Sequence, residues 1–445
     1  MLSHSCVSQA RRAYALAALV LLSAVSASCG RSPVGTVAPA RDPQADAYVA
    51  GGVTRGSDVL AGQLVATLVP GVNAGAVAAS YGATLLAFDS DERTASFLPA
   101  IGQTPAALQA LLAADPRVVT VEPNGWLETA ETRQQSFAFD DGFGSSQAVL
   151  EQPAAAAIHL ELAHQVAQGT GVVVAILDTG IDPRHPMLRG SIIGGHDFVD
   201  GDDDPTDYRD FVDNDGDGYV DEAFGHGTHV AGIVHLVAPE ARLLAVRVLD
   251  SDGRGDIVKI AAGVRWAVDH GAKIVNLSLG SLRSSDALQN ALEEAENRGV
   301  AVITSAGNWG ASTPEEFPAR SSHAAAIAAV DATDHPATFS SFGQIVALSA
   351  PGVGVRSAYP GGGYRLWSGT SMAAPFVAGT AALLAETHPN WTLDQMLQRM
   401  GSTASPVPGN AGTFGAGALD AGAALAADRR SHVDDVPLPE VERPH

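Results

Sequence analysis

The alternation of apolar and polar positions changes character near residue 171. Before it, "QLVATLV" (Gln63 to Val69), "TLLAF" and "TASFL" read as short strands, and "NAGAVAASYG" as a helix. "TPAALQALLAADP" predicts a second helix, with Thr104 at the N-cap, Pro105 at the first helical position and Pro116 just past the end. "VVTVEP" closes the series as a fourth strand. The order βαββαβ is that of a ferredoxin-like split motif, in a unit about as small as folds alone. By itself it names no function.

From Gly171 onward near-continuous apolar runs take over. In "VVVAIL" (Val172 to Leu177), "LLAVRVL", "AKIVNLSLG" and "VAVITSAG" both alternating sets of side chains are apolar, as in parallel strands covered on two faces. "DIVKIAAGVRWAVDHG" and "SDALQNALEEAENRG" carry helical spacing, begin on an acidic residue or serine, and stop at Gly271 and Gly299. The predicted fold class is therefore α/β, with a mostly parallel, doubly wound sheet preceded by the small α+β unit. Such sheets take ligands at the carboxyl ends of their strands.

Length and composition suit this: 445 residues, 46% of them hydrophobic, can bury a large core. The net charge of −23 argues against nucleic acid and anionic membrane surfaces as partners, because both need a basic face. Much of the acid is concentrated between Asp197 and Glu222.

At the start of the chain Arg11 and Arg12 precede the apolar run Ala13 to Val25, which is too short to span a bilayer but right for a signal segment. "SASC" after it resembles the lipobox of bacterial lipoproteins, in which the cysteine, here Cys29, is lipidated and becomes the first mature residue. An ordinary secretory signal cut near the same place is the alternative. The only other cysteine, Cys6, lies in the part that would be removed, which excludes an intramolecular disulfide. Both readings export the chain, to the cell envelope as a lipoprotein or to the outside, and any membrane contact runs through the N-terminal lipid. The expected divisions are a signal segment (1–29), a linker (30–60), the ferredoxin-like unit (61–127), a polar linker suited to cleavage (128–150), the main domain (151–427) and a disordered acidic tail (428–445).

Polar residues at the strand ends carry the chemistry. Asp178 follows "VVVAIL" directly; His226 opens "HGTHVAGIV", expected to be helical; Ser371 opens the helix "SMAAPFVAGTAALLAE". Pro375 is expected to be tolerated in the first turns, where N–H groups have no intrahelical partner. An Asp, a His and a Ser on three rigid elements suit nucleophilic acyl transfer, since serine needs a base to take its proton and the base needs an orienting carboxylate. No "HExxH" accompanies His226 and His229, which argues against zinc and leaves His229 a structural residue.

"DNDGDGYVDE" sets Asp213, Asp215 and Asp217 at alternate positions, then Gly218, Tyr219, Asp221 and Glu222. This matches the first half of an EF-hand-type loop, in which alternate oxygens converge on a calcium ion. Phe224 stands where the bidentate Glu belongs, so Asp221 or Glu222 would close the site, or Asp200 and its neighbours contribute. No organic cofactor is implied.

"AILDTGID", "GHGTHVAGIV", "NLSLGS", "TSAGNWG" and "GTSMAAPFVAG" together resemble the signature blocks of the subtilisin-like serine proteases, in that family's order of Asp, His, Ser. The resemblance implies a subtilisin-like fold and an endopeptidase in which Ser371 is the nucleophile, His226 the base and acid, and Asp178 its carboxylate. It implies Asn308 and the Ser371 N–H as oxyanion donors, and Ser278, Leu279 and Gly280 as the edge that pairs with substrate backbone. Ser305, Ala306 and Gly307 would line the other side of the specificity pocket. Glu315 and Glu316 fall near its floor, where acid would favour basic substrate side chains. The N-terminal unit resembles the family's prosegments, which implies an intramolecular inhibitor removed on maturation. A non-enzymatic calcium-dependent binding module and an esterase using the same triad remain the alternatives.

Overall fold

The computed structural model describes residues 59–426 apart from 90–92, 134, 135, 137, 313–315 and 411. The expected signal segment, Cys29 and the acidic tail lie outside the described residues. All described residues belong to the same unit of the chain.

The N-terminal elements are β1 (Val59–Leu68), α1 (Ala74–Ser80), β2 (Thr84–Asp89), β3 (Thr94–Leu98), α2 (Pro105–Ala113) and β4 (Val118–Glu128). They form the expected βαββαβ unit, with antiparallel neighbours in the order β2-β3-β1-β4. Thr104 caps α2, accepting from Ala107 N at 3.2 Å, with Pro105 in the first turn. One face of this sheet buries Leu64, Ala66 and Phe97 against Val77 of α1 and Leu108 and Leu112 of α2. Each of the leucine, valine and phenylalanine side chains contributes ~1.5–3 kcal/mol when fully buried.

Four short helices follow: α3 (Ala130–Arg133), α4 (Ser146–Leu150), α5 (Pro153–Ala157) and α6 (Leu160–His164). The main domain then runs β5 (Val173–Asp178), β6 (Ile192–Asp197), α7 (His226–Val237), β7 (Arg242–Arg247), β8 (Arg254–Asp256), α8 (Ile257–Asp269), β9 (Ile274–Leu277), α9 (Asp286–Asn297), β10 (Ala301–Ser305), β11 (Ala325–Val330) and β12 (Val346–Pro351). It ends with the hairpin β13 (Val355–Tyr359) and β14 (Gly363–Trp367), then α10 (Thr370–Thr387) and α11 (Leu393–Thr403).

Seven parallel strands lie in the order β12-β11-β10-β9-β5-β7-β6. The double coverage read from the sequence is visible in β5. Val174 and Ile176 pack with α7 and α10 on one face, and Ala175 and Leu177 with α8 and α9 on the other. Helices on both faces make the sheet doubly wound.

The strand read as ending at Pro123 runs five residues further. Past the proline, Trp126, Leu127 and Glu128 pair antiparallel with Asp256, Gly255 and Arg254 of β8, so β4 joins the N-terminal sheet to the main domain. Glu122 sits over the start of α9, where its carboxylate accepts from Ser285 Oγ (2.8 Å), Asp286 N (3.0 Å) and Ala287 N (3.2 Å). An anion there meets unsatisfied N–H groups and the positive end of the helix dipole.

Candidate active site

Asp178 ends β5 and is fully buried. Its Oδ1 accepts from Thr179 N (2.8 Å) and lies 2.7 Å from Nδ1 of His226, the first residue of α7. Two glycines let that helix start so close to the strand end. Gly225 takes φ +92°, and a Cβ there would lie 2.4 Å from the Tyr359 ring; a Cβ on Gly227 would lie 2.2 Å from Gly180 O. The ring of His226 is packed edge-on to Trp367, centroids 5.2 Å apart.

Behind it, His229 is buried with Nε2 near Val355 O (3.1 Å) and Arg365 O (3.2 Å). Burial first, and the charge of His226 second, lower its pKa to about 3, so it is a neutral packing residue. The sequence reading missed Asp207. This buried carboxylate accepts from Thr228 Oγ1 (2.8 Å) and Gly225 N (3.2 Å) at the start of α7, and burial raises its pKa to about 7.

Ser371 stands in the first turn of α10, whose N-cap is Gly369. Pro375 is the sixth helical residue, beyond the free N–H groups of the first turn, which corrects the expectation. The N–H it lacks would have bonded Ser371 O; the Ser278 hydroxyl donates to that carbonyl instead, at 3.0 Å. Asn308 is oriented from the same turn: Thr370 N and Oγ1 each donate to its Oδ1 at 2.9 Å. Its Nδ2 therefore faces the site.

A residue that the sequence reading passed over fills the centre. Glu131 of α3 is fully buried, and its Oε2 accepts from Ser371 Oγ at 2.6 Å and lies 3.2 Å from His226 Nε2. Its Oε1 accepts from Asn308 Nδ2 (2.9 Å) and Ser371 N (3.4 Å). Burial alone would raise the Glu131 pKa, but His226, Ser371 and Asn308 outweigh it and lower it. His226 moves the other way: burial would lower its pKa, and the Asp178 and Glu131 carboxylates raise it to about 10.

Ser278, Leu279 and Gly280 run beside Ser371 and are all buried. Gly280 pairs backbone to backbone with Glu128, while the Leu279 side chain points into the core under α8 and α9. Ser305, Ala306 and Gly307, at the end of β10, are buried on the other side. Between these two edges lies the Glu316 carboxylate, 1% exposed: a Cβ built on Gly307 would lie 2.4 Å from its Oε2, and one on Gly280 2.9 Å. Trp309 Nε1 donates to its Oε1 at 2.5 Å. Glu315 lies outside the described residues.

The acidic segment brings two trios of carboxylates within reach of one ion each: Asp213, Asp215 and Asp252, and Asp215, Asp217 and Glu222. Asp252 was not foreseen, since it comes from the loop after β7. Burial first raises its pKa to about 6, and repulsion from Asp215 and Asp210 adds to this, so the cluster suits a hard cation. Asp221 belongs to neither trio; its Oδ1 accepts from Asp210 N (3.0 Å) and Phe211 N (3.1 Å), tying down the loop. Tyr219 is exposed, and its N–H donates to Asp217. Asp200 is engaged elsewhere, with Arg247 at 2.7 Å.

Residues 169–417 match the model of the subtilase family, peptidase S8. The chain is 42% identical over 233 residues to thermitase of Thermoactinomyces vulgaris, covering 50% of this chain and 78% of that protein. It is 42% identical over 265 residues to subtilisin BL of Lederbergia lenta, covering 58% and 91%. Among solved structures, a protease of Pseudoalteromonas arctica superposes with a TM-score of 0.57 at 33% identity, covering 61% of this chain and 94% of that one. Fervidolysin of Fervidobacterium pennivorans, a keratinolytic enzyme related to subtilisin, gives 0.67 at 25% identity, covering 84% and 62%. With its parallel sheet, the convergence of Asp178, His226, Asn308 and Ser371, and these matches, the chain belongs to the subtilase family of serine proteases.

Proposed function

We propose that this serine-type endopeptidase is exported, is made as a self-inhibited precursor and is steadied by calcium. In this reading Ser371 attacks the substrate carbonyl and passes through an acyl-enzyme. His226 takes its proton and later returns it to the leaving amine, Asp178 fixes the imidazole, and Asn308 Nδ2 with the Ser371 N–H holds the oxyanion. Substrate backbone adds as a strand along Ser278 to Gly280, and the side chain before the cut bond enters between Gly280 and Ser305 to Gly307. The buried Glu316 carboxylate between those edges gives that pocket a preference for Lys and Arg.

The observation that carries this reading is the meeting of Ser371 Oγ, Ser371 N, Asn308 Nδ2 and His226 Nε2 on the two oxygens of a single carboxylate. Two donors on one oxygen and the nucleophile on the other are what a tetrahedral oxyanion needs.

The N-terminal unit acts as the inhibitor, supported by the run of β4 along β8 and onto Gly280. Calcium would be held by Asp213, Asp215, Asp217, Glu222 and Asp252, with the Tyr219 carbonyl and the Asp221 turn completing the loop. When bound it offsets crowded negative charge and orders the loop that leads into His226. Export and lipidation at Cys29 rest on the N-terminal sequence. Because Cys29 precedes the inhibitory unit, maturation releases the catalytic part from the membrane.

The test is labelling with a serine-directed fluorophosphonate in calcium. The trimmed native chain should gain one probe mass and Ser371→Ala none. A trimmed native chain that stays unlabelled would sink the reading in favour of a binding module.

A further inference from the structure

The self-inhibited precursor leaves open which bond is cut and what keeps it uncut. The backbone register answers the first question. Glu128 N donates to Gly280 O (3.0 Å) and Gly280 N donates back to Glu128 O (2.8 Å), while Thr129 N donates to Gly253 O (3.0 Å) on the opposite side. In an antiparallel pair one strand counts up as the other counts down, so a chain that stayed extended past the Glu128–Gly280 bridge would set Thr129 level with Leu279 and Ala130, where α3 begins, level with Ser278. Ser278 O is also the carbonyl that lies 3.3 Å from Ser371 Oγ. The carbonyl that such an extended chain would deliver to Ser371 is that of Ala130.

The side chain of the next residue answers the second. Glu131 Oε1 takes the donors Asn308 Nδ2 (2.9 Å) and Ser371 N (3.4 Å), and Oε2 takes the Ser371 hydroxyl (2.6 Å). A Cβ on Gly369 would fall 1.7 Å from Oε1, so only glycine there leaves the carboxylate room. With a negative oxygen on the oxyanion donors, the side chain copies the charge of the intermediate without undergoing the reaction.

We propose that Ala130–Glu131 is the peptide bond the precursor cuts in itself, and that the Glu131 carboxylate, seated on the donors this bond's own carbonyl oxygen requires, holds the cut back until it swings out.

The latch works on each part of the machinery. It takes the hydroxyl proton's direction away from His226, and it keeps His226 protonated between two carboxylates, where the imidazole cannot serve as a base. Once Glu131 turns out, the Ala130 carbonyl enters the vacated donors. Ser371 Oγ adds to its carbon as His226 takes the hydroxyl proton. The C–N bond to Glu131 then breaks, with His226 returning that proton to the Glu131 nitrogen. Water cleaves the remaining ester, leaving a carboxylate on Ala130, an amine on Glu131 and the free Ser371 hydroxyl. The new amino-terminal side stays seated, because Ser136 N donates to Glu131 O (2.8 Å) and Trp367 Nε1 to Ser136 O (3.0 Å).

This rests on the precursor protease reading, and the experiment separates the two. The full chain is purified as native protein, Glu131→Gln, Glu131→Ala and Ser371→Ala. Intact mass and the sequence of the new amino terminus are followed with time, with fluorophosphonate labelling alongside. The expected new terminus is Glu131, or the replaced residue 131 in the variants. Glu131→Ala should cut about tenfold faster or more, the equilibrium factor of one charge-assisted hydrogen bond. Glu131→Gln, which keeps the volume and loses the charge, should be accelerated less, and Ser371→Ala should not cut. A terminus at another residue overturns the bond assignment. Unchanged rates in both Glu131 variants overturn the latch. A chain that labels after trimming by an added protease but never cuts itself overturns the proposal alone; one that neither cuts nor labels after trimming overturns the protease reading as well.

Discussion

Asp178 Oδ1 and His226 Nδ1 are 2.7 Å apart in a site with no exposed surface on either residue. The carboxylate holds Nδ1 and so turns Nε2 to the side where Glu131 Oε2 also meets the Ser371 hydroxyl. Asp178→Asn should leave the fold intact and lower kcat by about 10⁴, the loss this change causes in serine protease triads where it has been measured. Hydrolysis of a peptide anilide, beside an unchanged circular dichroism spectrum, checks it.

Asn308 has its oxygen held by Thr370 and gives its Nδ2 to the site. Asn308→Ala should cost about 10²–10³ in kcat with little change in KM, the range established for removal of this donor in subtilisin. A loss confined to KM would point to ground-state binding instead.

Glu316 lies under the two edges, Gly280 and Gly307, between which the substrate side chain is proposed to enter. The native enzyme should prefer Lys and Arg to Leu before the cut bond. In Glu316→Gln, kcat/KM for the basic substrates should fall about 10- to 100-fold, the worth of one charge-assisted hydrogen bond, with Leu substrates nearly unaffected. A paired set of Lys, Arg and Leu peptides decides it.

Asp215 is shared by both carboxylate trios. With calcium at about 100 times its Kd, binding adds about 2.7 kcal/mol, which for a domain of this size raises Tm by about 4–5 °C. Chelation should remove that increment, and Asp215→Ala should show none to remove. Equal responses to chelation in both proteins would exclude this cluster as the stabilising site.

The link from Asp178 through His226 to Glu131 gives the full-length chain its own pH profile. Glu131 has a lowered pKa, so its contribution is present above the ordinary carboxylate value of about 4.3 and is lost as pH falls through the folded value. His226 is raised to about 10, so its contribution is full below about 6.5 and is lost as pH rises through 10. The Tm advantage of Ser371→Ala over the double variant Ser371→Ala with Glu131→Gln should therefore be greatest between about pH 4.3 and 6.5 and shrink toward pH 10.

The parallel strands and α8 and α9 were readable because each obeys a local rule: two apolar faces for a covered strand, and a stripe with a Gly stop for a helix. The reach of β4 past Pro123 was not, because it depends on β8, an edge more than a hundred residues away in the chain. Glu131 was equally silent. Nothing in "ETAETRQQ" separates it from other polar linker residues, and its partners lie 95 and 240 positions further on. Asp252 escaped for the same reason: the loop motif accounts for alternate carboxylates in one segment, while the fold brings a ligand from another. The pattern of Asp178, His226 and Ser371 was legible because each stands at the end or start of a regular element.

The absence of an N–H on Pro375 has a mechanical side. A hydrogen bond from the Ser278 hydroxyl to Ser371 O fastens the segment just after β9 to α10, and Asn276 steadies the fastener by donating to Ser278 Oγ at 2.9 Å. If substrate adds along that edge as proposed, a peptide tugging on it tugs on the backbone of Ser371 itself. The enzyme thus has a strut between grip and blade, and the proline left the socket into which it fits.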